Sequence, residues 1–485
     1  MPSAQIYLLA GFTALTLCLL NRLIKNYLAL HHLHLPGPIL AKLTSKWLLV
    51  NFARGNQMNA VHALHLKHGP VVQIGPREIS FSSGKALKDI YSPMTKCMKS
   101  PIYESMGRPG VFGMRDKEQH RERRNRVAHV FAMNVLKELE PAVQAQIANL
   151  TRILGECGGR PFDVVKPMRM LALDIMVGEI LLGQCFNALG AADPPYYVTV
   201  MNYVHPMFSI DREVPWLGAF LRMLPIKKYG EQQMRDSIAK FGRHSPRRNI
   251  MTKLIAGDPE KGTLPLPDQN IADEVSNFIY AAVDTTGVVM AYFLYELASN
   301  PIWQGRLREE LIIAEIREKD FPYQQIQQLQ VLHACMYETL RLHPGAGVGL
   351  PRITPPGGLQ IDNIFVPGNM TVHTPTLTLQ RDPSVFPIPD SFNPSRWLTS
   401  SNTFVASSEM QAHTFIWGGG EHNCAGQNMA TMEIKIMAAR VMSEFKVRVE
   451  SERTHQNMRM RDHFVIAPKG GKGLLVFERV EVMKD

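Results

Sequence analysis

Residues 415–426 read Phe-Ile-Trp-Gly-Gly-Gly-Glu-His-Asn-Cys-Ala-Gly, and apolar residues then recur at Ala425, Met429, Met432, Ile436 and Ala439. Steps of four and three mark one buried helix face. Cys424 therefore stands at or just before a helix N-terminus, where the macrodipole and free N–H groups favour a thiolate. The glycines before it let the backbone approach something flat and bulky. A thiolate in such a loop can be a nucleophile, a zinc ligand or an axial ligand to haem iron. Zinc needs more ligands, and only His413 and His422 lie nearby in the chain. A lone buried cysteine is the plain alternative.

The rest of the chain limits the setting. The other five cysteines, Cys18, Cys97, Cys157, Cys185 and Cys335, form no CxxC pair, so neither a disulfide framework nor a zinc ribbon is written here. The formal charge of +10 is spread over only 20% charged residues of both signs, which argues against nucleic acid as the partner. No linker or charge block divides the 485 residues, and the 45% hydrophobic content suffices for one large core.

The N-terminus carries an uncharged apolar run from Ile6 to Leu20, followed by Arg22 and Lys25. About 20 apolar residues span a bilayer. Positive charge follows the run instead of preceding it, and no small-residue cleavage site appears, so the segment reads as an uncleaved single-pass anchor. Arg22, Lys25, Lys42 and Lys46 put the remainder on the cytoplasmic side. Leu35-Pro36-Gly37-Pro38 cannot continue a helix. The division expected is an anchor over 1–30, a Pro/Gly hinge over 31–40 and one domain over 41–485.

Within that domain, Val71–Gly75 and Ile79–Ser82 read as a hairpin, and a second β-rich patch runs from Leu359 to Thr374. Long helical patterns cover 117–150, 166–187, 268–299 and 301–317. The stretch 268–299 would run about 48 Å at 1.5 Å per residue, enough to form the spine of a mainly α fold with small sheets (α+β).

The cysteine loop resembles the haem-binding signature of the cytochrome P-450 haem-thiolate monooxygenases, and the motif wording, especially Gly349-Leu-Pro-Arg352, looks more like the family's fungal benzoate-hydroxylase and secondary-metabolism branches than like sterol demethylases. Its glycines, Cys424 and Gly426 fall in register with that signature. Two positions depart: Trp417 stands where the family usually has Phe, and His422 where it usually has Arg. The resemblance implies Cys424 as axial ligand to the iron of haem b, Trp417 over the sulfur, and a weakened propionate contact at His422, because imidazole is not a permanent cation.

Three further motifs match in order. Glu338-Thr-Leu-Arg341 puts acid and base on one helix face, and the resemblance joins them with Arg396 in a buried structural triad that locks the cysteine loop. Ala281-Ala-Val-Asp284-Thr285-Thr286 is poor helix interior whose hydroxyls can capture carbonyls and open a bulge. It is similar to the family's oxygen-activation motif, with Asp284 and Thr285 as catalytic acid and alcohol and Ala282 in place of glycine. His120 and Arg124, in a basic cluster with Lys117, Arg121, Arg123 and Arg126, resemble the family's propionate-binding helix, and Arg352 stands where another propionate arginine is expected.

The implied fold is that of the cytochrome P-450 family, with haem between distal and proximal helices. The implied activity is monooxygenation of a lipophilic, fairly bulky substrate, with electrons from NADPH through a flavin reductase docked on the spare basic charges, at the endoplasmic reticulum membrane. Segments 100–111, 203–220, 277–282, 345–350 and 464–466 would face the substrate, with Pro101, Phe112, Phe208, Phe278 and Val348 as walls and the glycines of 345–349 leaving room beside the haem. The alternatives are a reductase-independent peroxygenase or isomerase, and a non-enzymatic haem carrier.

Overall fold

A computed structural model describes residues 4–105, 110–183, 186–191, 226–243, 249–257, 265–316 and 321–480. The expectations for 203–220, Phe208 among them, and for Cys185 lie outside the described residues.

The spine is a single α-helix, Asp268–Ser299, bounded by Pro267 and by Asn300-Pro301. Pro301 supplies no N–H to continue the first helix and starts the next one, Pro301–Ile313. The spine is apolar enough to cross a membrane, yet 72% of its most apolar window is buried by the rest of the chain, which makes it a core helix. The largest apolar cluster forms around it, with contributions from helices Met133–Glu156, Val165–Ala172, Gln330–Leu342 and Gln427–Glu444. The pattern read over 117–150 is two helices, Lys117–Ala128 and Met133–Glu156, separated by a 3-10 turn at His129–Phe131.

The main sheet has five short strands in the order Val71–Gly75, Glu78–Phe81, Thr371–His373, Arg352–Ile353, Met98–Lys99. All neighbours are antiparallel except Glu78–Phe81 with Thr371–His373. The register sets Lys99 directly opposite Arg352, so two cations reach the site from adjacent strands. A second apolar cluster joins this sheet to Phe415, the first residue of the cysteine loop.

The N-terminal helix runs Ala4–Leu28, and the apolar span over residues 5–33 has none of its most apolar window buried. It is a candidate membrane anchor. Leu30, inside the expected anchor segment, is fully buried in the cluster beneath the sheet. The expected hinge is pinned to the body: Gln73 N–H donates to Pro36 O at 2.8 Å, and Lys42 Nζ donates to Leu35 O at 2.7 Å.

Candidate active site

The cysteine loop makes one 3-10 turn at Gly420–His422 before helix Gln427–Glu444. It closes on itself through Cys424 N–H, which donates to Trp417 O at 2.7 Å. Gly420 sits at φ +62, and a Cβ there would lie 2.4 Å from the Tyr91 carbonyl oxygen, so no other residue lets the loop come this close. Cys424 is exposed to solvent, although protein atoms crowd around it. Enclosure pushes its thiol up, while the Gly426 N–H and the Arg124 charge pull the other way.

Basic groups converge beside it. His120 is buried and meets His422, Nε2 to Nδ1, at 3.1 Å. Arg124 donates to Asn423 Oδ1 at 3.0 Å. Arg352 lies over the rings of Tyr91 and Tyr103 and donates to the Tyr103 hydroxyl at 3.1 Å. Neither tyrosine is singled out by the sequence, because only the packing of helices Gly84–Tyr91 and Ile102–Ser105 on the sheet brings them to Arg352. Burial and then the charges of Lys99, Arg124 and Arg352 hold His120 down at about 3. His422 is held at about 2 by burial and by Lys99, His120, Arg352 and Lys117. The His120 Nδ1 is buried without a hydrogen-bond partner. A cluster of this kind fits a dianionic group.

The basic helix is less free than its sequence suggests. Arg123 is buried against Glu274 (3.2 Å), Arg121 pairs with Glu421 of the cysteine loop (2.8 Å), and Arg126 pairs with Glu122 (2.6 Å). Arg123 is therefore not a surface charge, a correction to the reading of a spare basic face.

Midway along the spine, Ala281 is exposed and Ala282 and Thr285 are half-buried, while Val283, Asp284 and Thr286 are buried. The Thr285 hydroxyl donates to Ala281 O at 2.6 Å. The expected bulge does not form: the helix stays α throughout, because a carbonyl has a second lone pair for the hydroxyl. Asp284 points elsewhere, accepting from Arg169 Nε at 2.6 Å in a buried ion pair. Arg169, on helix Val165–Ala172, is a long-range partner with no sequence signal.

Glu338, Arg341 and Arg396 come together as the motif order implies. Arg341 Nε and Nη2 each donate to Glu338 at 2.8 Å, and Arg396 Nε donates to it at 2.9 Å. Trp397 Nε1 adds a 2.8 Å bond and Asn393 N–H one of 2.9 Å. Burial raises the Glu338 carboxyl, but the Arg341 bond and charge, then Arg396, outweigh it and hold the group low. The link to the cysteine loop runs through Gln380: Arg341 donates to its carbonyl at 2.9 Å, and its Oε1 accepts Phe415 N–H at 3.0 Å.

On the substrate side, Phe112 is half-buried and Val348 is buried beside Met58 and Ile466. Phe278 instead packs edge-on against Phe131 in the core, and Pro101 is exposed. The glycines of 345–349 do not all leave room. A Cβ on Gly347 would lie 2.0 Å from Met58 Sδ, and one on Gly349 2.4 Å from Thr374 O. Only Gly345 faces Thr285, with 3.6 Å to its Cβ.

A long core helix with a hydroxyl on a half-open stretch at its middle, and a glycine-rich cysteine loop held by a buried carboxylate–arginine hub, define a haem-thiolate architecture. The chain belongs to the cytochrome P450 family, whose model matches residues 36–475. It is 30% identical over 446 residues to pisatin demethylase of Fusarium vanettenii, covering 86% of this chain and 85% of that one. It is 28% identical over 428 residues to tryprostatin B 6-hydroxylase of Aspergillus fumigatus (85% and 74%). It is 29% identical over 466 residues to the cytochrome P450 monooxygenase ORF9 of Penicillium roqueforti strain FM164 (91% and 88%). The protein is a haem monooxygenase, of a family that takes electrons from a redox partner and acts on lipophilic substrates. The orphaned His120 Nδ1 and the cations around it fit the two carboxylates of a haem.

Proposed function

We propose that this chain is a membrane-anchored monooxygenase of secondary metabolism, holding haem b through Cys424 and fed by NADPH through a flavin reductase at the endoplasmic reticulum, with the catalytic domain over 41–485 in the cytoplasm. The observation that carries this reading is the exposed Cys424 thiol just before helix Gln427–Glu444, beside His422 and the positive charges of Lys99, Arg352 and Lys117 that converge on it. Relatives named for acting on pisatin and tryprostatin B support a bulky, lipophilic natural product as substrate. When bound, the haem supplies oxygen activation and insertion of one oxygen atom into the substrate.

The protein's part is to bind, orient and deliver protons. Arg124, Arg352 and His120 hold the carboxylates, and His422 acts through His120 (3.1 Å). Trp417 closes the loop behind Cys424 through its carbonyl. Thr285 carries its hydroxyl on the half-open stretch of the spine, where turning away from Ala281 O frees it to pass a proton into the cleft. Asp284, one residue before it, feeds that relay after exchanging its Arg169 contact. The reductase docks on the exposed part of helix Lys117–Ala128, without Arg123.

Two measurements test the reading. Cys424→Ser should abolish activity and the red-shifted carbon-monoxide band of the reduced protein; persistence of that band rules out the ligand assignment. Thr285→Ala should keep NADPH consumption while diverting electrons from product to hydrogen peroxide, and wild-type coupling would favour a reductase-independent peroxygenase or isomerase.

A further inference from the structure

The segment Gly110–Phe112 is held from two sides by buried side chains of opposite charge. Glu274, on the spine and fully buried, accepts the Val111 N–H at 3.0 Å through Oε1 and at 3.3 Å through Oε2. Lys99, 4% exposed on the edge strand, donates from Nζ to Val111 O at 2.8 Å and to Phe112 O at 2.9 Å. Gly110 allows the contact, since a Cβ there would lie 2.4 Å from Asn277 Nδ2 and 2.9 Å from both Glu274 oxygens. Arg123 Nη1, 3.2 Å from Glu274 Oε1, steadies the carboxylate from behind.

Such an arrangement is costly. Burial, helped by the Arg352 charge and opposed by Glu274, pushes Lys99 down to about 7, and burial pushes Glu274 up to about 7 against the Arg123 charge. An apolar contact would hold a loop at less expense. What the clasp gains is fixed placement of three consecutive peptide units, and so of the Phe112 ring. That ring meets Tyr103 edge-on at 5.4 Å and Phe464 at 6.1 Å. Phe464 is itself held at φ +76, a conformation a bulky residue adopts only under constraint, at the tip of the hairpin Met460–His463 with Val465–Pro468. The hairpin is tied at Ile466 N–H to Gly345 O (3.1 Å), and Gly345 faces Thr285.

We propose that Lys99 and Glu274 are positioning residues for substrate selection: they clasp the Val111–Phe112 backbone so that Phe112 and Phe464 together limit the length of the apolar group admitted beside Thr285. This rests on the monooxygenase reading above. Neither charged group touches substrate. Their effect passes through the backbone they hold.

The test uses the full-length haem protein and a series of 4-phenylimidazoles with para-alkyl groups of increasing length, titrated by the azole difference spectrum. Phe112→Ala should tighten binding of the longest probe at least tenfold relative to the shortest, and Phe112→Trp should shift the profile the opposite way. Lys99→Met and Gly110→Ala should reproduce the Phe112→Ala profile, although neither removes a ring. Glu274→Gln, which keeps an oxygen for Val111 N–H, should retain the wild-type profile. A wild-type profile in Lys99→Met and Gly110→Ala overturns the positioning role, and one in both Phe112 variants overturns the length limit. The reduced carbon-monoxide band identifies variants that have folded, and if Lys99→Met or Gly110→Ala lacks it the other decides. Absence of that band and of azole binding in the wild type would instead fail the monooxygenase reading.

Discussion

Replacing Trp397 with Phe removes one of five hydrogen bonds that converge on the buried Glu338 carboxylate. Oε1 accepts from Arg341 Nη2, Arg396 Nε and Asn393 N, and Oε2 from Arg341 Nε and Trp397 Nε1. A hydrogen bond to a charged group is worth about 1.5–3 kcal/mol net. The smaller ring also leaves a gap among Tyr337, Phe386 and Phe404, adding on the order of 1 kcal/mol. The four remaining donors keep the carboxylate satisfied, so the total loss should be about 2.5–4 kcal/mol. Glu338→Gln differs in kind: it leaves Arg341 and Arg396 without a counter-charge, at about 3–5 kcal/mol for each broken buried pair. That sum is comparable to the whole stability of a folded chain, about 5–15 kcal/mol. Urea titration of the reduced carbon-monoxide band should show Trp397→Phe folded with a lowered midpoint and Glu338→Gln without the band. A Trp397→Phe midpoint equivalent to less than about 0.5 kcal/mol of loss, or loss of haem as complete as in Glu338→Gln, would refute the reasoning.

Deleting residues 1–28, which spares the buried Leu30, should move the protein from carbonate-washed membranes to the soluble fraction with its haem spectrum intact; full retention would refute the single-anchor assignment. Asp284→Asn should both slow turnover and destabilise the fold, because it breaks the ion pair with Arg169, whereas Asp284→Asn with Arg169→Met should recover stability but not turnover; recovery of both would remove Asp284 from the relay. Burial holds the Asp462 carboxyl up at about 7 despite the Met58 N–H it accepts. Its protonated form therefore contributes stability that is full below pH ~4 and lost as pH rises through about 7. Asp462→Asn should gain on the wild type in urea midpoint from pH 5 to pH 8, and a pH-independent difference would contradict this.

Local signals carried far into this protein because several of its tasks are local. The spine could be bounded at Asp268 and Ser299 because an apolar periodic run ends where Asn300-Pro301 cannot continue it. Cys424 could be placed just before a helix because glycines precede it and a 3.6-residue pattern follows; the helix itself begins at Gln427. Glu338 and Arg341 share a helix face by spacing alone, and their remote partner Arg396 came from motif order. The partners that complete these groups are a matter of tertiary contact, for which a sequence carries no distance. Trp397 and Gln380 join the Glu338 hub, Arg169 takes Asp284 away from Thr285, and Tyr91 and Tyr103 flank Arg352. Arg123 reads as one more solvated charge on a basic helix until packing sets it against Glu274. The same holds for Lys99, which as a residue type belongs at the surface. Only the pairing of its strand with Arg352–Ile353 carries it inside, where water cannot solvate the ammonium and two carbonyl oxygens of the 111–112 backbone must do so.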